Sequence, residues 1–247
     1  MPDIVVGRNA IRQLLVSEKK VHRILIYKNC RQDEKIQEII ELAGQERIPL
    51  MYVDNKEIER IYDGANHQGI LAYVPAFQYA EIEDILEYAK ERNEQPFILI
   101  LDELEDPYNF GSLARTSVAA GVHGIIIPQK KQVEITPTVV KVSTGAVHNI
   151  LIAKVNNIVQ AVEKLKKEGV WVIGTHQNAK DSYTNLKYDF PLAFIIGNEG
   201  RGIGRLLKEK CDYFVKIPIN TDKIDSLNAS VAGALVIFKI REKRDGC

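Results

Sequence analysis

Six apolar runs, separated by helical segments, follow one another through the second half of the chain and constrain its fold more than any other feature. They are FILILDEL (97–104), GIIIP (124–128), ILIAKV (150–155), VWVIGTH (170–176), LAFIIG (192–197) and YFVKIPI (213–219). Nearly continuous Val, Ile and Leu is typical of strands that are buried on both faces of a parallel sheet. The segment SLNASVAGALVIFKIREK (226–243) has apolar residues at helical spacing, which predicts a long closing helix. We therefore predict an α/β domain with a parallel sheet over 96–247.

The first 75 residues contain shorter elements and predict a separate small α/β domain over 1–75. Its expected helices are 9–17, 34–43 and 58–62, and its expected strands are VHRILIY (21–27), PLMYVD (49–54) and HQGILAYV (67–74). Residues 76–95 hold six acidic and two basic side chains. They are interpreted as a linker with a helix that ends before Pro96.

Composition narrows the class of protein. The 247 residues carry 33 basic and 33 acidic side chains, and 96–247 carries 20 basic against 16 acidic, a net charge of +4. Any nucleic-acid binding must therefore come from local patches. Three cysteines without CxxC spacing favour reduced thiols and no metal site. No secretion signal or membrane-length apolar run is evident, so we expect a cytoplasmic protein and no membrane partner.

Three polar or glycine-rich clusters lie where predicted strands end, the usual place for sites in open α/β sheets. The clusters are DPYNFGSLARTSVAAG (106–121), IIGNEGRGIG (195–204) and IPINTDKIDSLNAS (217–230). Each has a purely structural interpretation when taken alone. The first is a turn formed by Asp106, Pro107 and Asn109 before a helix, the second is a glycine turn, and in the third Ser226 is the helix N-cap.

Taken together, the order and spacing of NxGxxxRT, GNEGRG and IPI followed by SLNAS resemble the three motifs of the SpoU/TrmH family of RNA 2′-O-methyltransferases, within the SPOUT superfamily. The resemblance covers 96–247. Upstream, VVGRNAIRQLL and HQGI are similar to the N-terminal RNA-binding domain of the RlmB-like branch, which modifies a guanosine in 23S ribosomal RNA. The resemblance thus implies a large-subunit ribosomal RNA substrate.

The resemblance also implies a trefoil knot in the catalytic domain, which periodicity would not suggest because knots are rare. The knot loops would hold S-adenosylmethionine, mainly through backbone groups. The implied cofactor-binding residues are Gly197, Asn198, Ile217, Ile219, Ser226 and Leu227. A homodimer of catalytic domains is implied as well, and the apolar helix segment 231–240 is compatible with burial in a dimer or in a monomeric core.

For catalysis, the resemblance assigns the central role to Arg115. Asn109 and Glu199 would position this arginine and the ribose, and Asn228 and Ser230 would complete the hydrogen-bonding set. A guanidinium acting as a base near neutrality would have to lose its proton at a cost of about 7 kcal/mol. Arg115 is therefore either a strongly perturbed base or, at lower cost, a charged group that stabilises the developing alkoxide.

Arg8, Arg201 and Arg205 are candidates for RNA binding, whereas His67 and Gln68 are interpreted as a structural turn. The loop from Asn220 to Lys223 departs from the family because it lacks a glycine, which leaves its cofactor contacts open. Three alternatives remain: a transfer RNA 2′-O-methyltransferase, a non-catalytic RNA-binding protein of the same fold, and a nucleotide-dependent oxidoreductase. The last has little support because the glycine turn is not a GxGxxG fingerprint.

Overall fold

The computed structural model divides the chain into two units, one of which is assembled from two separate segments. It describes residues 3–17, 20–31, 33–62, 67–221, 223 and 226–246. Unit 1 consists of Met1–Gln78 and Ile135–Asn149, and unit 2 consists of Tyr79–Glu134 and Ile150–Cys247. Each unit is described by itself below.

Unit 1 contains a four-stranded mixed sheet with helices after its first three strands. The elements are β1 (Asp3–Val6), α1 (Arg8–Val16), β2 (Arg23–Tyr27), α2 (Glu34–Gln45), β3 (Leu50–Val53), α3 (Asn55–Ile61) and β4 (Ile70–Val74). The strand order is β1-β4-β2-β3, with β2 and β3 parallel and β4 antiparallel to both of its neighbours. Every element predicted in 1–75 is present within a few residues, and among the described elements of this segment only β1 was not predicted.

The segment Ile135–Asn149 lies inside the predicted catalytic domain in sequence but belongs to unit 1 in space. It forms α6 (Pro137–Val142) and a 3₁₀ helix (Ala146–Asn149). α6 packs against β1, with Val139 and Val140 buried. Thr136 caps α6 by accepting a hydrogen bond from the Val139 N–H. The limits of the RNA-binding and catalytic domains stay a prediction.

Unit 2 contains a seven-stranded parallel sheet. Its strands are β5 (Phe97–Leu101), β6 (Gly124–Pro128), β7 (Leu151–Val155), β8 (Trp171–Thr175), β9 (Asp181–Ser182), β10 (Leu192–Ile196) and β11 (Tyr213–Lys216). Its helices are α4 (Ile82–Glu91), α5 (Pro107–Ala119), α7 (Ile158–Lys167), α8 (Arg205–Lys208) and α9 (Ala229–Arg244). All six predicted strands and the closing helix are confirmed, and the short β9 was not predicted. No helix in the described ranges is both long and apolar enough to cross a membrane.

The strand order of unit 2 determines where a site can form. The order is β7-β6-β5-β10-β8-β11-β9. From β5, the strands β6 and β7 follow one another toward one edge of the sheet, and β8 to β11 all lie on the opposite side of β5. β10 lies directly beside β5, with Leu192 paired to Phe97. The sheet therefore has its switch point between β5 and β10, and ligands bind at the carboxyl ends of strands at such points. The first two sequence clusters follow these two strands.

His123, just before β6, makes a buried polar contact that yields a pH prediction. Its side chain is 2% exposed; Nδ1 accepts a hydrogen bond from the Phe97 N–H (3.0 Å), which leaves Nε2 to donate to Glu94 (3.1 Å). Burial lowers the pKa of His123, and the opposing effect of Glu94 is smaller. The folded protein thus binds this proton less readily than the unfolded chain does, so its stability decreases as the pH falls.

We expect the free energy of unfolding to decrease as the pH falls below about 6.5, with a slope of up to about 1.4 kcal/mol per pH unit from this residue. Denaturant titrations between pH 5 and 7.5 measure it. The control is His123→Asn, whose Oδ1 can accept the same N–H but cannot titrate. An equal slope in both proteins would contradict the assignment.

Candidate active site

The first cluster contains the whole of α5 together with its N-cap. Asp106 is the N-cap, and its carboxylate accepts hydrogen bonds from the N–H groups of Tyr108 (3.3 Å) and Asn109 (3.0 Å). Pro107 occupies the first helical position, where the missing N–H costs nothing. The predicted turn at Asp106, Pro107 and Asn109 is therefore wrong, because this cap starts the helix one residue after Asp106. Asn109 is thereby placed in a buried position in the first turn.

Asn109 connects the three sequence clusters. Its Nδ2 donates to Oε1 of Glu199 in the second cluster, and its Oδ1 accepts from Nδ2 of Asn228 in the third (3.0 Å). Oδ1 of Asn228 accepts the N–H groups of Ser230 (3.0 Å) and Val231 (3.3 Å) and the Ser230 hydroxyl (2.6 Å). Because backbone N–H groups only donate, they set the orientation of the Asn228 amide, which in turn sets that of Asn109. Glu199 therefore accepts a hydrogen bond from a fixed donor.

The cap of α9 differs from the simple interpretation of the third cluster. Asn228 is the N-cap, and Ala229 is the first helical residue. The interpretation of Ser226 as the N-cap is therefore wrong, because Asn228 is the residue whose side chain accepts the first N–H groups of the helix. This cap joins α9 to α5 through Asn109, so the helix start is part of the site.

The second cluster is a tight loop after β10. Asn198 closes it with two main-chain hydrogen bonds to Gly202 (3.1 and 2.8 Å), while its side chain donates to the Glu103 carbonyl (2.9 Å). Arg201 pairs with the Glu103 carboxylate (2.7 Å). A Cβ on Gly197 would lie 2.2 Å from the Gly202 carbonyl carbon. The two ends of this loop approach each other too closely for any side chain at 197.

All six predicted cofactor-binding residues line one cavity of about 410 Å³ beside this loop: Gly197, Asn198, Ile217, Ile219, Ser226 and Leu227. Sequence reasoning missed Thr175, His176, Gln177 and Lys208, which line it as well. The position of β8 between β10 and β11 brings the first three to the cavity, and no local signal in the sequence indicated that neighbourhood. Asp222, in the loop that departs from the family, lies outside the described residues.

Asp102 is a further residue that sequence reasoning missed, since it is embedded in the apolar run that forms β5. Its side chain is 7% exposed, and Oδ2 accepts the N–H of Gly204 (2.7 Å). Burial raises the pKa of this carboxyl group. Asp102 therefore ties the end of β5 to the end of the loop after β10.

The predicted arginines have different surroundings. Arg115 is exposed on α5, and within the described ranges its side chain makes no hydrogen bond to Asn109 or Glu199. Arg205 is exposed at the start of α8. The set Asn109, Glu199, Asn228 and Ser230 is thus brought together by hydrogen bonds, whereas in the described ranges neither Arg115 nor Arg205 is hydrogen-bonded to it.

In unit 1, Arg8 is held in place by hydrogen bonds. Its guanidinium pairs with Asp33 and donates to the Gln68 carbonyl (3.2 Å), while Gln68 Oε1 accepts the Arg8 N–H (2.9 Å). Nδ1 of His67 accepts the N–H of Gly69 (3.1 Å). These contacts fit a structural turn at 67–69, and the same residues line a polar cleft of about 1040 Å³.

Comparison with known proteins identifies the family. Residues 96–238 match the family described as "SpoU rRNA Methylase family", and residues 4–80 match "RNA 2′-O ribose methyltransferase substrate binding". The chain is 44% identical over 243 residues to YacO of Bacillus subtilis, named as a TrmH family tRNA/rRNA methyltransferase; the match covers 98% of this chain and 96% of YacO. A Staphylococcus aureus protein of the same family name is 38% identical, with the same coverages.

Solved structures show the same fold. AviRb from Streptomyces viridochromogenes, a SpoU methyltransferase crystallised with AdoMet, superposes with a TM-score of 0.81 at 21% identity, covering 99% of this chain and 91% of AviRb. An rRNA methyltransferase from Sinorhizobium meliloti gives a TM-score of 0.78 at 23% identity, covering 98% and 87%.

Fold and site together define an α/β protein whose ligand cavity lies at the strand ends of a parallel sheet, next to a hydrogen-bonded polar network. The described ranges contain no group of three or more His, Cys, Asp or Glu that could hold a metal ion. The chain belongs to the SpoU/TrmH family of RNA methyltransferases. Because the chain belongs to this family, the alternative of a nucleotide-dependent oxidoreductase is wrong.

Proposed function

We propose that this chain transfers a methyl group from S-adenosylmethionine to a ribose 2′-hydroxyl of 23S ribosomal RNA, at a guanosine. The proposal rests on one observation: the loop after β10 both lines the cavity and contributes a residue to the polar network. Gly197 and Asn198 line the cavity, while the next residue, Glu199, belongs to the Asn109–Glu199–Asn228 network. A ligand in the cavity would thus lie beside groups that can bind a hydroxyl.

The cavity suits S-adenosylmethionine in size and in chemistry. A volume of about 410 Å³ lies in the range of small-ligand sites. Ile217, Ile219 and Leu227 offer apolar surface for an adenine, while Lys208 offers a positive charge for the carboxylate of the zwitterionic tail. When bound, the cofactor supplies an electrophilic methyl group.

The network can position the attacking ribose. One Glu199 oxygen is held by Asn109, and the residue is exposed, so its other oxygen can accept a hydrogen bond from the 2′-hydroxyl. A fixed acceptor lowers the entropy cost of aligning that hydroxyl with the methyl group. Arg115 is exposed and carries a permanent positive charge, which would stabilise the developing alkoxide. A phosphate or a water molecule would accept the proton that the 2′-hydroxyl loses.

Several further features belong to the same proposal. Residues after β10 and β11 would form the trefoil knot of the family. The match of residues 4–80 to a substrate-binding family supports RNA binding by unit 1, where Arg8 lines the polar cleft. Arg201 and Arg205 would bind RNA near the cavity. The proposal places this activity in the cytoplasm.

We also propose that the protein is a homodimer, on the evidence of one exposed apolar face on α9. Val231, Leu235 and Phe238 are 50%, 39% and 50% exposed and line a groove with Ser112 and Thr116 of α5. The buried side chains of α9 lie on its other face. A second copy of the chain would cover these three side chains, and a two-fold axis would do so symmetrically.

Phe238→Asp should convert the dimer to a monomer, because it would place two charges in the apolar interface. Analytical ultracentrifugation measures the mass. The matched control is Tyr52→Asp, since Tyr52 is 51% exposed in unit 1 and lies outside this face. A dimer that persists in the Phe238 variant would place the interface elsewhere.

The function is tested by methyl transfer from labelled S-adenosylmethionine. Unmodified ribosomal RNA and transfer RNA are offered as substrates in separate reactions. Nuclease digestion then identifies the modified nucleoside. We expect a 2′-O-methylguanosine in the large-subunit RNA. Label in transfer RNA alone would overturn the substrate, and the absence of both transfer and cofactor binding would favour the non-catalytic alternative.

A further inference from the structure

Tyr108 is an exposed aromatic residue beside the catalytic network, and the proposed mechanism does not use it. Its side chain is 64% exposed, more than any other large hydrophobic side chain in the described ranges. Its N–H is held by the capping Asp106, and the next residue is the buried Asn109 that bonds Glu199. The main chain is therefore fixed at this point, while the ring has most of its surface in water.

The ring shares a helix face with Arg115. Residues seven positions apart on an α-helix point in nearly the same direction and are separated by about 10 Å along the axis. Between them on this face, Gly111 is buried and Ser112 is half-buried. The ring and the guanidinium are therefore the exposed groups at the two ends of this stretch of helix.

We propose that Tyr108 stacks on the base of the RNA nucleotide whose ribose is methylated, an inference that rests on the proposed function. Sequence-specific recognition of RNA commonly uses unstacked bases that lie on aromatic side chains. With the ribose at Glu199 and Arg115, the base of the same nucleotide needs a support within one nucleoside length. Tyr108 lies on the same helix as Arg115, about 10 Å away along the axis.

The chemistry defines what Tyr108 contributes. Stacking on an aromatic ring tolerates any base, because every base has a π face. Tyr108 is therefore a positioning residue that strengthens RNA binding and orients the nucleotide, and the choice of base must come from other groups. The phenol hydroxyl is not required, so phenylalanine should substitute for tyrosine.

The test compares Tyr108→Ala with Tyr108→Phe in the full-length protein. Loss of one stacked base should weaken binding of unmodified RNA roughly 5- to 150-fold for the alanine variant at fixed salt. The phenylalanine variant should remain within about twofold of the wild type, and the Kd for S-adenosylmethionine should not change in either. An exposed side chain contributes little to stability, so both variants should fold.

A spectroscopic readout separates stacking from a general effect. A 2-aminopurine placed at the mapped target position should lose fluorescence on binding to the wild type and the phenylalanine variant, but not to the alanine variant. Suppose that the wild type transfers methyl, and that the alanine variant binds RNA and quenches the 2-aminopurine fluorescence as the wild type does. That result would overturn the stacking role of Tyr108 and leave the proposed function intact. If the wild type neither transfers methyl nor binds RNA, the proposed function fails first.

Discussion

Gly197→Ala is expected to abolish binding of S-adenosylmethionine and with it methyl transfer, whereas Gly200→Ala should leave both within about twofold of the wild type. A Cβ at Gly197 would lie 2.2 Å from the Gly202 carbonyl carbon and 2.3 Å from the Ile203 nitrogen. Both atoms belong to the main chain, which cannot move aside as a side-chain tip could. At Gly200 the nearest atom is Oδ1 of Asn198 at 3.6 Å, an ordinary contact.

Isothermal titration with S-adenosylmethionine measures the first effect, and labelled methyl transfer measures the second. The two variants add the same methyl group to the same loop, so they differ only in what that group meets. Circular dichroism and thermal unfolding should show that Gly197→Ala retains the sheet of unit 2. Tight cofactor binding by this variant would mean that the loop after β10 does not form the wall of the cofactor site.

Arg115→Ala is expected to lower kcat by at least about 10²- to 10³-fold, the cost of removing one group that stabilises a developing oxyanion. Binding of S-adenosylmethionine should persist, because Arg115 does not line the cavity. Arg115→Lys should recover part of the rate if charge is what matters, since lysine keeps the charge without the planar fork. Recovery by lysine would therefore favour the electrostatic role over the role of a base.

Arg205→Ala is the matched control, because Arg205 is also an exposed arginine of unit 2 and loses the same charge. We expect it to weaken RNA binding, seen as a higher KM, while kcat remains close to that of the wild type. Single-turnover methyl transfer at saturating RNA separates the two effects. Full activity of Arg115→Ala under those conditions would remove Arg115 from the catalytic step.

Prediction from the sequence was most successful where the signal is local. The strands of unit 2 were found because Val, Ile and Leu in unbroken runs are required wherever a strand is covered on both faces, as at β5 and β10. The motif residues Asn109, Glu199 and Asn228 were predicted through the resemblance of the three motifs to the SpoU/TrmH family. Local signals failed at the helix starts, where the cap was placed at Ser226 although Asn228 provides it.

The sequence by itself therefore determined the α/β class, the position of nearly every strand and the residues of the three motifs. Only the tertiary structure decided how they meet: Asn109 bonds Glu199 across 90 positions and Asn228 across 119. It also placed His176 at the cavity and Ile135–Asn149 in unit 1. Strand order and helix docking create these contacts between distant residues. Hydrophobic periodicity reports which side of an element is buried, and it carries no information about which element lies there.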